Sequence, residues 1–150
     1  MKTVLILLFS LILFGCTDKT PKSQTNAIEG TWKLVSGKLI EKEDTVVTDY
    51  LKNISFIKIL NKTHFAFLQH DLNKGQDSSA IFVSGGGKYS LKNDLYTEHL
   101  EYCSARNWEG NDFNFTVSIT GDTLIQTGVE KVENLAINRI NIEKYVRLSK

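Results

Sequence analysis

From Gly30 to the end of the chain, apolar residues recur mostly at every second position, and no stretch keeps a three-to-four-residue period through three turns. Successive side chains of a strand point to opposite faces, so this alternation predicts an all-β domain. Eight strands are expected: Thr31 to Leu39, Ile54 to Leu60, His64 to His70, Ala80 to Ser84 continuing through glycines to Leu91, Leu95 to Cys103, Phe113 to Ile119, Thr123 to Gly128, and Ile142 to Leu148. Three junctions, Asn61-Lys62, Lys92-Asn93-Asp94 and Thr120-Gly121-Asp122, are short enough to force antiparallel hairpins, and their Asn and Gly residues supply the positive φ of tight turns. Gly85-Gly86-Gly87 inside the fourth strand permits a bulge or a sharp bend. Consecutive hairpins with a kinked middle strand favour an eight-stranded antiparallel up-and-down β-barrel over a sandwich, with an interior either filled by side chains or wide enough for one small ligand.

The N-terminus carries a different signal. Lys2 precedes an apolar run from Val4 to Phe14 broken only by Ser10, and Leu13-Phe14-Gly15-Cys16 ends it. The run is shorter than the roughly 20 apolar residues of a membrane span, and it lacks the small-x-small site of an ordinary cleaved signal. It resembles a bacterial lipoprotein signal peptide. That resemblance implies cleavage after residue 15 and acylation of Cys16, hence attachment to a membrane of the cell envelope. Thr17 in place of an aspartate resembles lipoproteins sorted to the outer membrane. Residues 16–27 are polar and hold the only proline, Pro21, which reads as a flexible tether. The expected domain then spans residues 28–150.

Removing the signal leaves about 135 residues, the size of one domain with a real core. Of eighteen basic residues Lys2 goes with the signal, so seventeen face seventeen acidic ones. A chain without net charge has no electrostatic pull toward nucleic acid, and none is expected as a partner. Cys103 is the only cysteine besides Cys16, so with Cys16 acylated no intramolecular disulfide can form.

Gly30-Thr31-Trp32, which opens the first strand, resembles the Gly-x-Trp signature of the lipocalins and the wider calycin superfamily. Arg147 stands where those barrels place an arginine across the tryptophan. The segments Thr63 to Phe67 and Gly86 to His99 further resemble small lipocalin-like domains of bacterial lipoproteins of uncharacterised function. The resemblance implies that Trp32 and Arg147 form a pair closing one end of the barrel, for which a stacking cation with a fixed fork of donors is suited.

Candidate chemistry is sparse. His64 and His70 lie roughly 20 Å apart along one strand, too far to share an ion, and His99 with Glu101 offers only two ligands, so no metal or cofactor is expected. No Gly-x-Ser-x-Gly elbow occurs, Cys103 fits a small buried apolar role, and no enzymatic activity is expected. In the fifth strand Tyr96, Glu98, Leu100 and Tyr102 share a face; turned inward, that face would put a carboxylate inside the barrel, in need of partners such as Tyr89, Tyr145 or Arg147. Phe67, Tyr89, Tyr96, Glu98, Tyr102, Trp108 and Tyr145 are the candidate pocket residues; Trp108, in a loop beside Arg106 and Asn107, fits a cap on the barrel mouth, a contact surface, or simple packing of its loop onto the barrel. The expected function is a monomeric, membrane-anchored binder of a small, mainly apolar molecule. The alternative is a filled barrel that docks a protein of the envelope.

Overall fold

The computed structural model describes residues 27–149, so the expected signal, Cys16 and most of the tether lie outside the described residues. Nine strands form among the described residues: β1 (Gly30–Glu41), β2 (Asp44–Asp49), β3 (Ile54–Leu60), β4 (His64–Asp71), β5 (Phe82–Lys92), β6 (Leu95–Cys103), β7 (Asp112–Thr120), β8 (Thr123–Val132) and β9 (Ile137–Ser149). All neighbouring pairs are antiparallel, and β1 pairs with β9 from Thr31↔Ser149 to Ile40↔Ile140, which closes the sheet. The fold is an eight-stranded antiparallel barrel of lipocalin-like, up-and-down architecture with one extra strand.

The extra strand is a property of β1. Its first half, Gly30 to Lys33, pairs with β3, and its second half, Ser36 to Glu41, pairs with β2. β2 and β3 therefore act as one stave interrupted at residues 50–53. Every residue of β2 but Thr48 is exposed, so Asp44–Asp49 buries no face and shows no alternation.

The expected turns form. Asn93 (φ 58°) and Gly121 (φ 59°) take the left-handed region in the β5–β6 and β7–β8 turns. Asn61 Oδ1 accepts from the backbone N–H of Thr63 (2.9 Å) and His64 (2.8 Å) in the β3–β4 turn. These three turns mark one end of the barrel, which the start of the chain closes. Trp32 is fully buried there and donates from Nε1 to the Ile28 carbonyl at 2.8 Å. The Arg147 guanidinium lies 4.0 Å from the Trp32 ring centroid and donates to the carbonyls of Glu29 (2.7 Å) and Ala27 (2.5 Å). Ile28, Leu34 and Leu124 pack behind the pair.

The opposite end carries the longer loops, including a 3₁₀ turn at Arg106–Trp108. Asp71 clamps the β4–β5 loop by accepting the N–H of Gly75 (2.7 Å) and Ile81 (3.0 Å), and those bonds hold its carboxyl below the ordinary carboxylate value. The glycines of β5 do what tight approach requires. A Cβ on Gly85 would meet the Phe67 ring at 2.5 Å, and one on Gly87 would collide with the His99 carbonyl. Opposite Gly86 and Gly87 the register of β6 slips by one residue, a bulge at Glu101.

Candidate functional site

Parity decides what the barrel contains. Inward positions of β3 are Phe56, Lys58 and Leu60; of β6, Tyr96, Glu98 and Leu100; of β8, Leu124, Gln126 and Glu130; of β9, Arg139, Asn141, Glu143 and Tyr145. The polar members meet near the middle of the barrel. Lys58 Nζ donates to Glu98 Oε1 at 2.7 Å and to Gln126 Oε1 at 3.0 Å, with the two charged side chains 4% and 9% exposed. Gln126 Nε2 donates onward to Glu143 Oε2 at 3.1 Å, and the Tyr145 hydroxyl donates to the same oxygen at 2.8 Å. Nearer the loops, Arg139 Nε donates to Glu130 Oε2 and Asn141 Nδ2 to Glu130 Oε1, both at 2.7 Å.

Aromatic rings surround this network. Lys58 Nζ lies 5.3 Å from the centroid of Tyr145 and 5.8 Å from that of Tyr96, so part of its lost hydration is replaced by ring faces. Burial pushes the Glu143 carboxyl above its ordinary value, against the opposing pull of Lys58 and the Tyr145 hydroxyl; Glu130 and Glu98 add to the rise. Burial likewise raises Tyr145 and Tyr96 well above the usual phenol, with Glu143 and Glu98 respectively the next cause. Tyr50, in the break between β2 and β3, is raised by burial and then by Glu143 and Glu130.

Two adjoining cavities open above the network. One, of about 200 Å³, is walled by Tyr50, Phe56, Lys58, Glu98, Gln126, Arg139, Glu143 and Tyr145 among others. The other, of about 300 Å³, is apolar: Val83, Leu100, Cys103 and Phe113 wall it, and Ala105 and Trp108 lie toward the loops. Phe67, Glu98, Phe115 and Glu130 border both. The ring of Phe67 stands between Gly85, which leaves it room, and Phe56, on which it stacks at 5.8 Å. Trp108 is held by Phe113 (centroids 6.0 Å apart) and by Arg139, whose guanidinium carbon is 5.5 Å from its ring.

A further hollow, of about 510 Å³, lies between the 50–53 and 72–81 loops, bordered by Leu72, Asn73, Asp77 and Ser79. Asp77 there accepts from the Ser79 hydroxyl at 2.5 Å and from the Asn73 amide, while Asn73 Oδ1 is buried without a hydrogen-bond partner among the described residues.

Of the residues singled out from sequence, Phe67, Glu98, Trp108 and Tyr145 border the cavities. Tyr96 lies fully buried beside Glu98, off the cavity walls. Tyr89 is directed to the closed end, where its hydroxyl donates to the Asn61 carbonyl at 2.6 Å. Tyr102 is a correction: it is 69% exposed, because the Glu101 bulge reverses parity and turns Cys103 inward in its place. The expected partners of Glu98 are also corrected. Arg147 belongs to the closed end, and Lys58 holds the Glu98 carboxylate while the same ammonium donates to Gln126 Oε1. Cys103 is buried and free.

Lys58, Gln126, Glu130, Arg139 and Glu143 were not anticipated. The signal that locates them is parity: Lys58 sits two residues from Phe56 and from Leu60, and Glu143 two from Tyr145. Among the described residues no three of His, Cys, Asp and Glu converge as metal ligands would. His99 instead contacts Asp112 at 2.8 Å, and His70 contacts the Asp71 carbonyl at 2.6 Å. No protein-family profile matches this sequence, and no curated protein matches it.

Proposed function

We propose that this protein is a lipid-anchored binding module of the bacterial cell envelope, held by Cys16 and carrying a small, mainly apolar ligand in its barrel. The observation that carries the reading is the apolar cavity of about 300 Å³ roofed by Trp108 and continuous in its walls with a polar one. A barrel closed at one end by Trp32 and Arg147 and hollow at the other has the form of a container. A ligand would place its apolar body against Val83, Leu100 and Phe113 and present one polar group to the Lys58–Glu98 network. The anchor rests on the lipoprotein-like signal, and a place at the outer membrane rests on Thr17.

The test is native mass spectrometry of the full chain after incubation in a cell extract. A retained small molecule that is absent from the Phe67→Trp variant, whose larger ring occupies the partition between the cavities, supports the reading. A bare mass in every extract overturns it. The weight would then move to docking of an envelope protein at the open end, where Leu51, Leu72 and Phe82 stand 59%, 55% and 67% exposed.

A further inference from the structure

The charges inside the barrel do not balance. Lys58 serves Glu98 and Arg139 serves Glu130, each through a 2.7 Å contact, while Glu143 has no cation in hydrogen-bonding contact among the described residues. Both hydrogen bonds that Glu143 accepts fall on Oε2, from the neutral groups of Gln126 and Tyr145. A carboxylate can only accept. Oε1 therefore keeps its capacity at a residue that borders the polar cavity.

The walls around Glu143 are aromatic. Tyr50 packs edge-on against Phe56 with centroids 5.9 Å apart, and Phe56 lies 6.4 Å from Tyr145. Rings attract a cation through their faces and offer nothing comparable to an anion, and the three carboxyls of this cavity outnumber its two cations, Lys58 and Arg139, each of which is already paired with a carboxylate. On the reading that the barrel is a binding site, we propose that its ligand is an organic cation: a protonated amine whose nitrogen sits at Glu143 among Tyr50, Phe56 and Tyr145, with its apolar body in the chamber under Trp108. The groups facing Glu143 are Lys58 from β3, Glu98 from β6, Gln126 and Glu130 from β8, Arg139 and Tyr145 from β9, and Tyr50 from the β2–β3 break. Bringing a cation there favours the ionised carboxylate, so binding releases protons at a pH where Glu143 is still partly protonated.

Calorimetric titration of the full chain with three probes of one shape tests this: 2-phenylethylamine, 2-phenylethanol and 3-phenylpropionate. The amine should bind at least tenfold more tightly than the alcohol, and the carboxylate should give no measurable heat of binding. Glu143→Gln should weaken the amine about tenfold and leave the alcohol within twofold, and Tyr50→Leu should weaken the amine selectively without touching the buried network. An alcohol that binds as tightly as the amine, or an amine preference that survives both variants, overturns the cation assignment and leaves the binding site standing. Absence of binding by all three probes up to millimolar concentration overturns the binding site together with it.

Discussion

Replacing Lys58 by methionine keeps most of the side chain's length and removes only its charge. Lys58 is 3% exposed, and its 2.7 Å contact with Glu98 is worth about 6 kcal/mol of attraction at an effective dielectric near 20. Each ion loses several kcal/mol on leaving water, so the intact pair contributes little net stability. Removing one member is different. Glu98 is then left buried without its cation, with Glu143 and Glu130 nearby, at a cost of about 3–5 kcal/mol. At about 4 °C per kcal/mol for a domain of this size, Lys58→Met should lower Tm by about 12–20 °C at neutral pH in a calorimetric melt. The double variant Lys58→Met with Glu98→Leu should recover at least half of that loss, because no charge is then stranded. A single variant that costs less than about 1 kcal/mol, or a double variant as unstable as the sum of its singles, would refute a buried and mutually dependent pair.

Other consequences can be checked in the same way. Burial raises the Glu143 carboxyl above its ordinary 4.5, so the folded state holds this proton more tightly than the unfolded chain. Its contribution is therefore fully present at low pH and declines as pH rises from about 4.5 through the raised value; Glu143→Gln, compared with wild type by urea unfolding from pH 4 to 8, should gain relative stability toward the alkaline end. Arg147→Lys keeps the charge above Trp32 but loses the fork that serves the Glu29 and Ala27 carbonyls, and should cost about 1–2 kcal/mol with faster amide exchange around Ile28. Gly85→Ala places a methyl against the Phe67 ring and the Tyr102 carbonyl and should cost about 1–3 kcal/mol in urea unfolding.

The staves of the barrel were legible because seven of the eight expected strands bury one face and keep the two-residue period over most of their length, and the eighth bends where its glycines permit. β2 was not, since Asp44–Asp49 has no buried face to impose a pattern. The far ends of β8 and β9 were missed for the opposite reason. Glu130, Arg139 and Asn141 point inward, and polar residues at inward positions read as a strand's end unless parity is carried through from Gln126 and Tyr145. The same substitution of polar for apolar hid most of the site. Glu98 could be suspected as an inward carboxylate, but its partner Lys58 lies forty residues away on another strand, and only the β3–β4–β5–β6 register brings them together. Tyr102 was misplaced because a one-residue bulge cancels every parity argument beyond it, and the glycine run on the facing strand announces a bulge without fixing which residue of the partner is skipped.

Whether the barrel is hollow at one end and packed at the other can be read directly by methyl-resolved NMR of the protein under xenon pressure, since xenon enters dry apolar cavities of this order of size. Saturable shifts of the Val83 and Leu100 methyls, with Ile28 and Leu34 beside Trp32 unchanged, are the result this account predicts. Unchanged methyls at both ends would mean a barrel filled by its own side chains and would contradict it.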